Sequence, residues 1–165
     1  MKDTITQHLS GLPGETARRA VGVPLKAVGD RLSCQATSTA GLVVSATNTL
    51  AKIGSVAFAG VVQGVPVAIA AATDMPALTG MVITASNYNI ICFFIDQASV
   101  VTAAMGVEAT TLAKAKFPPF PEGKTLVGYL VVFYASTFTG TSTPLSTATT
   151  VYVSPVGAFD PSVLA

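Results

Sequence analysis

Apolar residues alternate with small or polar ones along much of this chain, which divides it into short strands separated by turns. The clearest pattern spans residues 56–71, where apolar positions alternate on both sides of Gln63 and Gly64. A two-residue turn there would pair residue 62 with 65, 60 with 67 and 58 with 69, placing both apolar sets on one face. Pro66 has no amide hydrogen to donate, so its strand is predicted at a sheet edge.

Two longer runs, residues 88–95 and 126–134, are apolar on both faces. A strand with one solvent-exposed face would show apolar residues alternating with polar ones. Each run is therefore predicted either to lie between two layers or to be covered by another subunit. Gly128 marks a bulge or a close backbone approach in the second run. Residues 96–99 favour a turn into a strand at 100–105, which makes a second hairpin.

The segments between these runs lack strand patterns. Three prolines in residues 117–121 predict that residues 116–124 form an extended strap lying over a surface. Residues 136–147, rich in Thr and Ser, predict a long loop before a last strand at 149–153. Several short strands at this spacing predict an all-β fold, an antiparallel β-sandwich or jelly-roll-like domain.

The beginning of the chain differs from the rest. Residues 1–40 are predicted to be an extended N-terminal arm and residues 41–165 the β-sandwich body, because six Gly and Pro residues in the first 31 allow at most a turn or two of helix. Eight of the seventeen charged residues (nine Lys and Arg plus eight Asp and Glu) lie in those first 31. A solvated tail and an arm that orders on a partner both fit this composition.

Charge is scarce in the body. Residues 125–159 carry no charge, and the chain is 50% hydrophobic but only 10% charged. Charge normally keeps exposed surfaces solvated and apart, so such a body is predicted to hide surface against other copies of itself. A net charge of +1 gives no reason to expect nucleic acid as a partner.

The sequence also argues against a membrane as a partner. Residues 53–73 carry no charge, but their polar and Gly/Pro interruptions and their strand-like alternation oppose a membrane span. The N-terminus lacks an apolar signal region, which predicts synthesis in the cytoplasm.

Candidate catalytic chemistry is sparse. A catalytic site needs titratable groups gathered in a cleft, whereas the single histidine, His8, lies in the arm. Cys34 and Cys92 lack the paired spacing of a zinc site and are predicted to be reduced, buried thiols. We therefore expect no enzyme activity, cofactor or metal. An enzyme using two of the scattered carboxylates stays the least favoured hypothesis; these are Asp74, Asp96, Glu108, Glu122 and Asp160.

The order of segments in the second half of the chain matches a known pattern. A strand at 87–96 is followed by the proline strap and a Gly-Tyr strand at 117–132, a Thr-rich loop at 138–145 and a terminal Gly-Ala-Phe at 157–159. This order resembles the family of small capsid decoration (cement) proteins of tailed bacteriophages and related head or tail fibre proteins. The resemblance covers about half of the chain.

That resemblance implies a trimer on the exterior of an icosahedral capsid, where it binds the major capsid protein and stabilises the shell without catalysis. The arm would supply partner-binding charges, and the two doubly apolar runs would supply surface for self-association. The arm candidates are Arg18, Arg19, Lys26 and Arg31, and the self-association candidates are Phe93, Ile95, Tyr129 and Phe133. A head or tail fibre or baseplate component, whose 136–147 loop binds a host surface glycan, is the alternative.

Overall fold

The computed structural model describes residues 32–159 together with positions 22, 25, 26, 28 and 29. Residues 35–153 form antiparallel sheets and a short 3-10 helix at Leu112–Lys114. The strands in chain order are β1 (Gln35–Ala36), β2 (Val43–Val44), β3 (Ala51–Lys52), β4 (Phe58–Val62), β5 (Val65–Ile69), β6 (Val82–Ile83), β7 (Tyr88–Ile95), β8 (Val101–Met105), β9 (Thr125–Phe133), β10 (Phe138–Thr139) and β11 (Thr149–Val153). The predicted all-β sandwich is confirmed.

Two layers enclose the main core. One layer is the four-stranded sheet in the order β11-β9-β7-β8, which we call the main sheet. The other contains the sheet β1-β4-β5 and two two-stranded sheets, β2-β3 and β10-β6. Phe58 and Phe93 come from opposite layers and are both fully buried in this core. The Thr125 hydroxyl donates a 2.7 Å hydrogen bond to the Val61 carbonyl oxygen, which ties β9 to β4.

The predicted hairpin between β4 and β5 is confirmed in its register, with Val62 opposite Val65 and Phe58 opposite Ile69. Gln63 and Gly64 have φ angles of 50° and 82°, the paired positive values of a type I′ turn. β5 is an edge strand, as predicted from Pro66.

Strand β9 contains both features that its glycine predicts. Phe93 of β7 lies opposite Gly128 while Phe94 lies opposite Leu126, so Val127 is the extra residue of a bulge. A Cβ atom on Gly128 would lie 2.6 Å from Leu42 Cδ1 and 2.7 Å from a backbone carbonyl oxygen of β11. Close packing therefore requires glycine here.

The second predicted hairpin joins β7 to β8. Asp96 Oδ1 accepts hydrogen bonds from the backbone N–H groups of Ala98 (3.0 Å) and Val100 (2.9 Å), and Ser99 adopts a φ of 61°. An aspartate that bonds to nearby backbone amides stabilises such a turn without help from the core. The turn predicted at residues 96–99 is confirmed.

Several elements differ from the prediction. The loop at 136–147 contains β10, which pairs with β6, and the two-residue strands are too short for their alternation to be recognised. The sequence predicts an arm that extends to residue 40, but Cys34, Ala36 and Ala40 are buried in the core, and β1 pairs with β4. The body therefore begins before residue 40.

The described positions between 22 and 33 are helical rather than extended. Leu25, Val28 and Leu32 are spaced three and four residues apart, which is the spacing that places side chains on one face of a helix. All three side chains are exposed. The Gly and Pro residues in this part of the sequence favoured an extended arm, so this spacing was not read as a helix.

Candidate interaction surfaces

The outer face of the main sheet, turned away from the main core, carries a second apolar cluster. Ile90, Cys92 and Phe94 project there from β7, and Leu126 and Tyr129 project there from β9. All five side chains are buried within the single chain. The sequence left open whether the doubly apolar strands lie between layers or under another subunit, and along this part of the face the chain covers itself.

The cover is the proline strap together with the end of the described chain. Phe117 meets the Tyr129 ring edge-on with ring centroids 5.0 Å apart, and Phe120 meets Phe94 edge-on at 5.1 Å. Phe159 lies between the two strap rings, 5.6 Å from Phe117 and 6.0 Å from Phe120. Edge-to-face contacts at such distances stabilise beyond the area that they bury. The strap thus covers the part of the outer face around Phe94 and Tyr129.

The part of the outer face around Tyr88 and Phe133 has no such aromatic cover in the described chain. Tyr88 and Phe133 lie opposite each other on β7 and β9, with ring centroids 4.6 Å apart, and both are only half-buried. Val131 is also half-buried, and Val151, opposite it on β11, is 53% exposed. We call these four residues the open patch. It is an apolar surface continuous across three strands.

Charge around the open patch is low. Three of its four residues belong to the uncharged stretch 125–159. The acidic residue closest to it in the strand pairing is Glu108, whose neighbour Ala109 bridges to Tyr88. The Glu108 carboxylate accepts hydrogen bonds from the Thr84 hydroxyl (2.6 Å) and the Thr84 backbone N–H (2.7 Å), which lower its pKa. This carboxylate is directed to Thr84, and a second uncharged surface can approach the patch.

The four self-association candidates occupy very different places. Phe93 and Ile95 are fully buried in the main core, so that part of the expectation is corrected: their side chains are inaccessible to a second copy. Tyr129 is 9% exposed beneath the strap. Phe133 alone reaches the open patch. Alternation identified the two faces, but it could not show that one is core and the other partly covered.

The arm candidates are mostly outside the described residues. Lys26 is helical and exposed, whereas Arg18, Arg19 and Arg31 lie outside the described residues. The exposed apolar residues Leu25, Val28 and Leu32 were not predicted from the sequence, although their spacing is that of a helix face.

Three of the described carboxylates accept hydrogen bonds within their own neighbourhoods. Asp96 accepts the turn hydrogen bonds, Glu108 binds Thr84, and Asp74 Oδ1 accepts a hydrogen bond from the buried Ser45 hydroxyl. Among the described residues, no three His, Cys, Asp or Glu side chains lie close enough together to hold a metal ion. The two polar atoms buried without a partner there, Asn89 Nδ2 and Tyr152 Oη, lie on different strands.

Both cysteines are buried and neither forms a disulfide, as predicted. Burial raises the pKa of the Cys92 thiol, so little reactive thiolate forms at neutral pH.

Removing a strap ring should therefore expose Cys92 to thiol reagents. The Phe117→Ala change is expected to speed labelling of Cys92 about tenfold, since losing a half-buried ring lowers the cost of lifting the strap by roughly 1.4 kcal/mol. Mass spectrometry after timed labelling measures this rate, with Val156→Ala at an exposed position as the control. Equal rates in the two variants would show that the strap does not limit access.

Comparison with known proteins gave no relative: no family model, curated protein or solved structure matches this chain. Within the described residues, no helix has the length and apolar character needed to cross a membrane. The surfaces themselves therefore carry the functional argument.

Proposed function

We propose that this chain is a structural virion protein of a tailed bacteriophage, a capsid decoration (cement) protein. It assembles as trimers, binds the outer surface of the shell through the major capsid protein, and stabilises the shell against opening. It is synthesised in the host cytoplasm and ends on the capsid exterior. The virion assignment rests on the order of segments in residues 80–159, and the role in assembly rests on the apolar, uncharged open patch.

The open patch is the observation that supports a role in assembly. Half-buried aromatic rings at Tyr88 and Phe133 share this face with exposed Val151, and none of these side chains is charged. A contiguous apolar surface of this kind marks a protein contact more often than a solvated face. Because the patch is uncharged, a copy of the same chain can cover it without like-charge repulsion.

The energetics favour association through such a surface. Burying apolar area stabilises by about 25 cal/mol per Å², and interfaces of standard size bury roughly 1,600 Å² in total. Loss of translational and rotational freedom offsets about 4–15 kcal/mol of that gain. A trimer gains three such contacts when its ring closes, so a modest apolar patch on each chain can suffice.

Charged arm residues supply the contact with the shell in this proposal. Lys26 is exposed on the helical segment, and Arg18, Arg19 and Arg31 precede the body in sequence. The arm and the open patch thus have separate tasks, shell binding and self-association.

Deleting residues 1–31 tests the arm directly. The truncated chain is expected to fold and self-associate, because β1 begins at residue 35 and the buried core begins at Cys34. It is expected to lose binding to expanded shells, which co-sedimentation with purified particles measures. Shell binding equal to that of the full chain would reject the arm's role.

Copy number in purified particles tests the position on the virion. A decoration protein covers the shell and is present at a copy number comparable to the shell subunits, whereas a fibre or baseplate component is present in few copies. Quantitative mass spectrometry against the major capsid protein gives the ratio. A ratio near that of tail components would replace the shell assignment with the fibre alternative.

A further inference from the structure

Strand β11 ends the main sheet and has a free side. It pairs with β9 through all five of its residues, and no other strand of the described chain pairs with it. An edge strand presents unpaired N–H and C=O groups along its free side, which can template pairing with another chain.

The hydrogen-bond pattern identifies which groups are free. Tyr88 exchanges backbone hydrogen bonds of 2.7 and 3.0 Å with Ala109, so its polar groups point away from β9. Backbone groups alternate in direction along each antiparallel strand. Phe133, opposite Tyr88, therefore directs its backbone groups to Thr149 of β11. The next residue along β11 points the opposite way, so the N–H and C=O groups of Thr150 and Tyr152 lie on the free side.

Two other edge strands, β5 and β8, carry features that oppose strand addition. Pro66 in β5 lacks an amide hydrogen. β8 lies beside the Lys124 ammonium, which donates a 3.0 Å hydrogen bond to the Thr102 hydroxyl. β11, with the sequence Thr-Thr-Val-Tyr-Val, contains neither proline nor charge, and every residue in it favours extended structure. Prolines and charges are the usual protection of an edge, so β11 lacks the protection that β5 and β8 have.

We propose that β11 pairs antiparallel with β11 of a second copy of this chain across a two-fold axis. With Val151 opposite Val151 of the copy, Thr150 faces Tyr152 of the copy, and each strand donates two N–H groups and accepts with two C=O groups. The facing pairs are β-branched or aromatic, which favours cross-strand packing.

We call the contact between the two β11 strands the seam. A second copy fits this edge because residues 125–159 bring no charge to the seam. The pairing also places two main sheets side by side, so the two open patches join across Val151. This contact lies in the plane of the sheet and differs from the face-on contact of the proposed trimer. It goes beyond that function, since a two-fold seam links chains of neighbouring trimers.

The substitution Thr150→Pro tests the seam, with Thr150→Ala as its matched control. Both variants lose the Thr150 hydroxyl, which bonds to the Leu145 carbonyl oxygen at 3.2 Å, but only proline removes the free-side N–H. The Thr150 N–H does not bond to β9, so the proline leaves the ladder of the chain intact. Loss of two seam hydrogen bonds should raise the dissociation constant of the pair roughly thirtyfold, and Thr150→Ala should stay close to the parent. Sedimentation equilibrium measures this constant.

A cross-linking experiment gives an independent result. Val151→Cys should form an interchain disulfide on oxidation, because residues facing across a two-fold pair approach closely enough. Val65→Cys, exposed on the edge strand β5, is the control. Equal cross-linking of the two variants, or unchanged pairing in Thr150→Pro, would overturn the proposal. If Thr150→Pro self-associates normally but no longer binds particles, then β11 pairs with a strand of the shell protein instead of a second copy. Shell binding that survives loss of the seam leaves the decoration role standing.

Discussion

Replacing Phe93 by alanine is expected to lower the free energy of unfolding by about 3–5 kcal/mol. Phe93 is fully buried in the main core beside Ile91 and Ile95, and its ring has no access to the surface. The cost combines the lost transfer of the ring with the cavity that it leaves, and a core between two sheets has little freedom to collapse. Chemical denaturation followed by circular dichroism measures the change.

The same variant separates a core role from an interface role. If Phe93 acts only in the core, the difference in free energy of unfolding between variant and parent is the same at low and high protein concentration, because both chains then associate equally well. Phe58→Ala, on the opposite layer of the core, is the matched control and should behave alike. A loss that disappears at high concentration would return Phe93 to an interface.

Replacing Phe133 by aspartate is expected to weaken self-association at least about a hundredfold, which corresponds to about 2.7 kcal/mol. Phe133 lies in the open patch, where the apolar surface of a second copy would have to accept an unpaired carboxylate. Burying a charge without a partner costs several kcal/mol, more than the ring's own contact with Tyr88 contributes. Sedimentation velocity over a concentration series measures the association.

Val56→Asp is the control for this change. Val56 is 66% exposed and lies outside the open patch, so a carboxylate there adds the same charge without entering the proposed contact. Circular dichroism of both variants establishes that they fold. Equal association of Phe133→Asp and the parent would show that the open patch is not the contact.

The hairpins were predictable because their signals are local. Gln63 and Gly64 take the positive φ angles of a two-residue turn, and the register follows from the alternation on either side. Gly128 signalled a bulge and a close approach, and both are present, because neither depends on distant residues beyond the adjacent strands.

What covers each apolar face was not predictable from the pattern. Phe93 and Tyr129 lie on opposite faces of the main sheet, and the alternation marks both faces as apolar without ranking them. The closing partner of one face, Phe159, comes from the far end of the described chain and meets Phe117 through the tertiary fold. The open patch is the remainder of that face, and its limits depend on how far the strap reaches.

The short strands and the helical positions illustrate a second limit. β6 and β10 have two residues each and pair across more than fifty positions, so neither shows an alternation of its own. Leu25, Val28 and Leu32 do show a helical spacing, but the Gly and Pro residues around them favoured an extended arm at the sequence level.

Self-association of the full chain is the property on which this account depends most. Sedimentation velocity from low to high micromolar concentration tests it, with Phe133→Asp measured beside the parent chain. We predict that the parent forms oligomers larger than dimers which dissociate on dilution, and that the variant forms nothing larger than the β11-paired dimer over the same range. A parent chain that is monomeric throughout, with no affinity for phage shells, would contradict it.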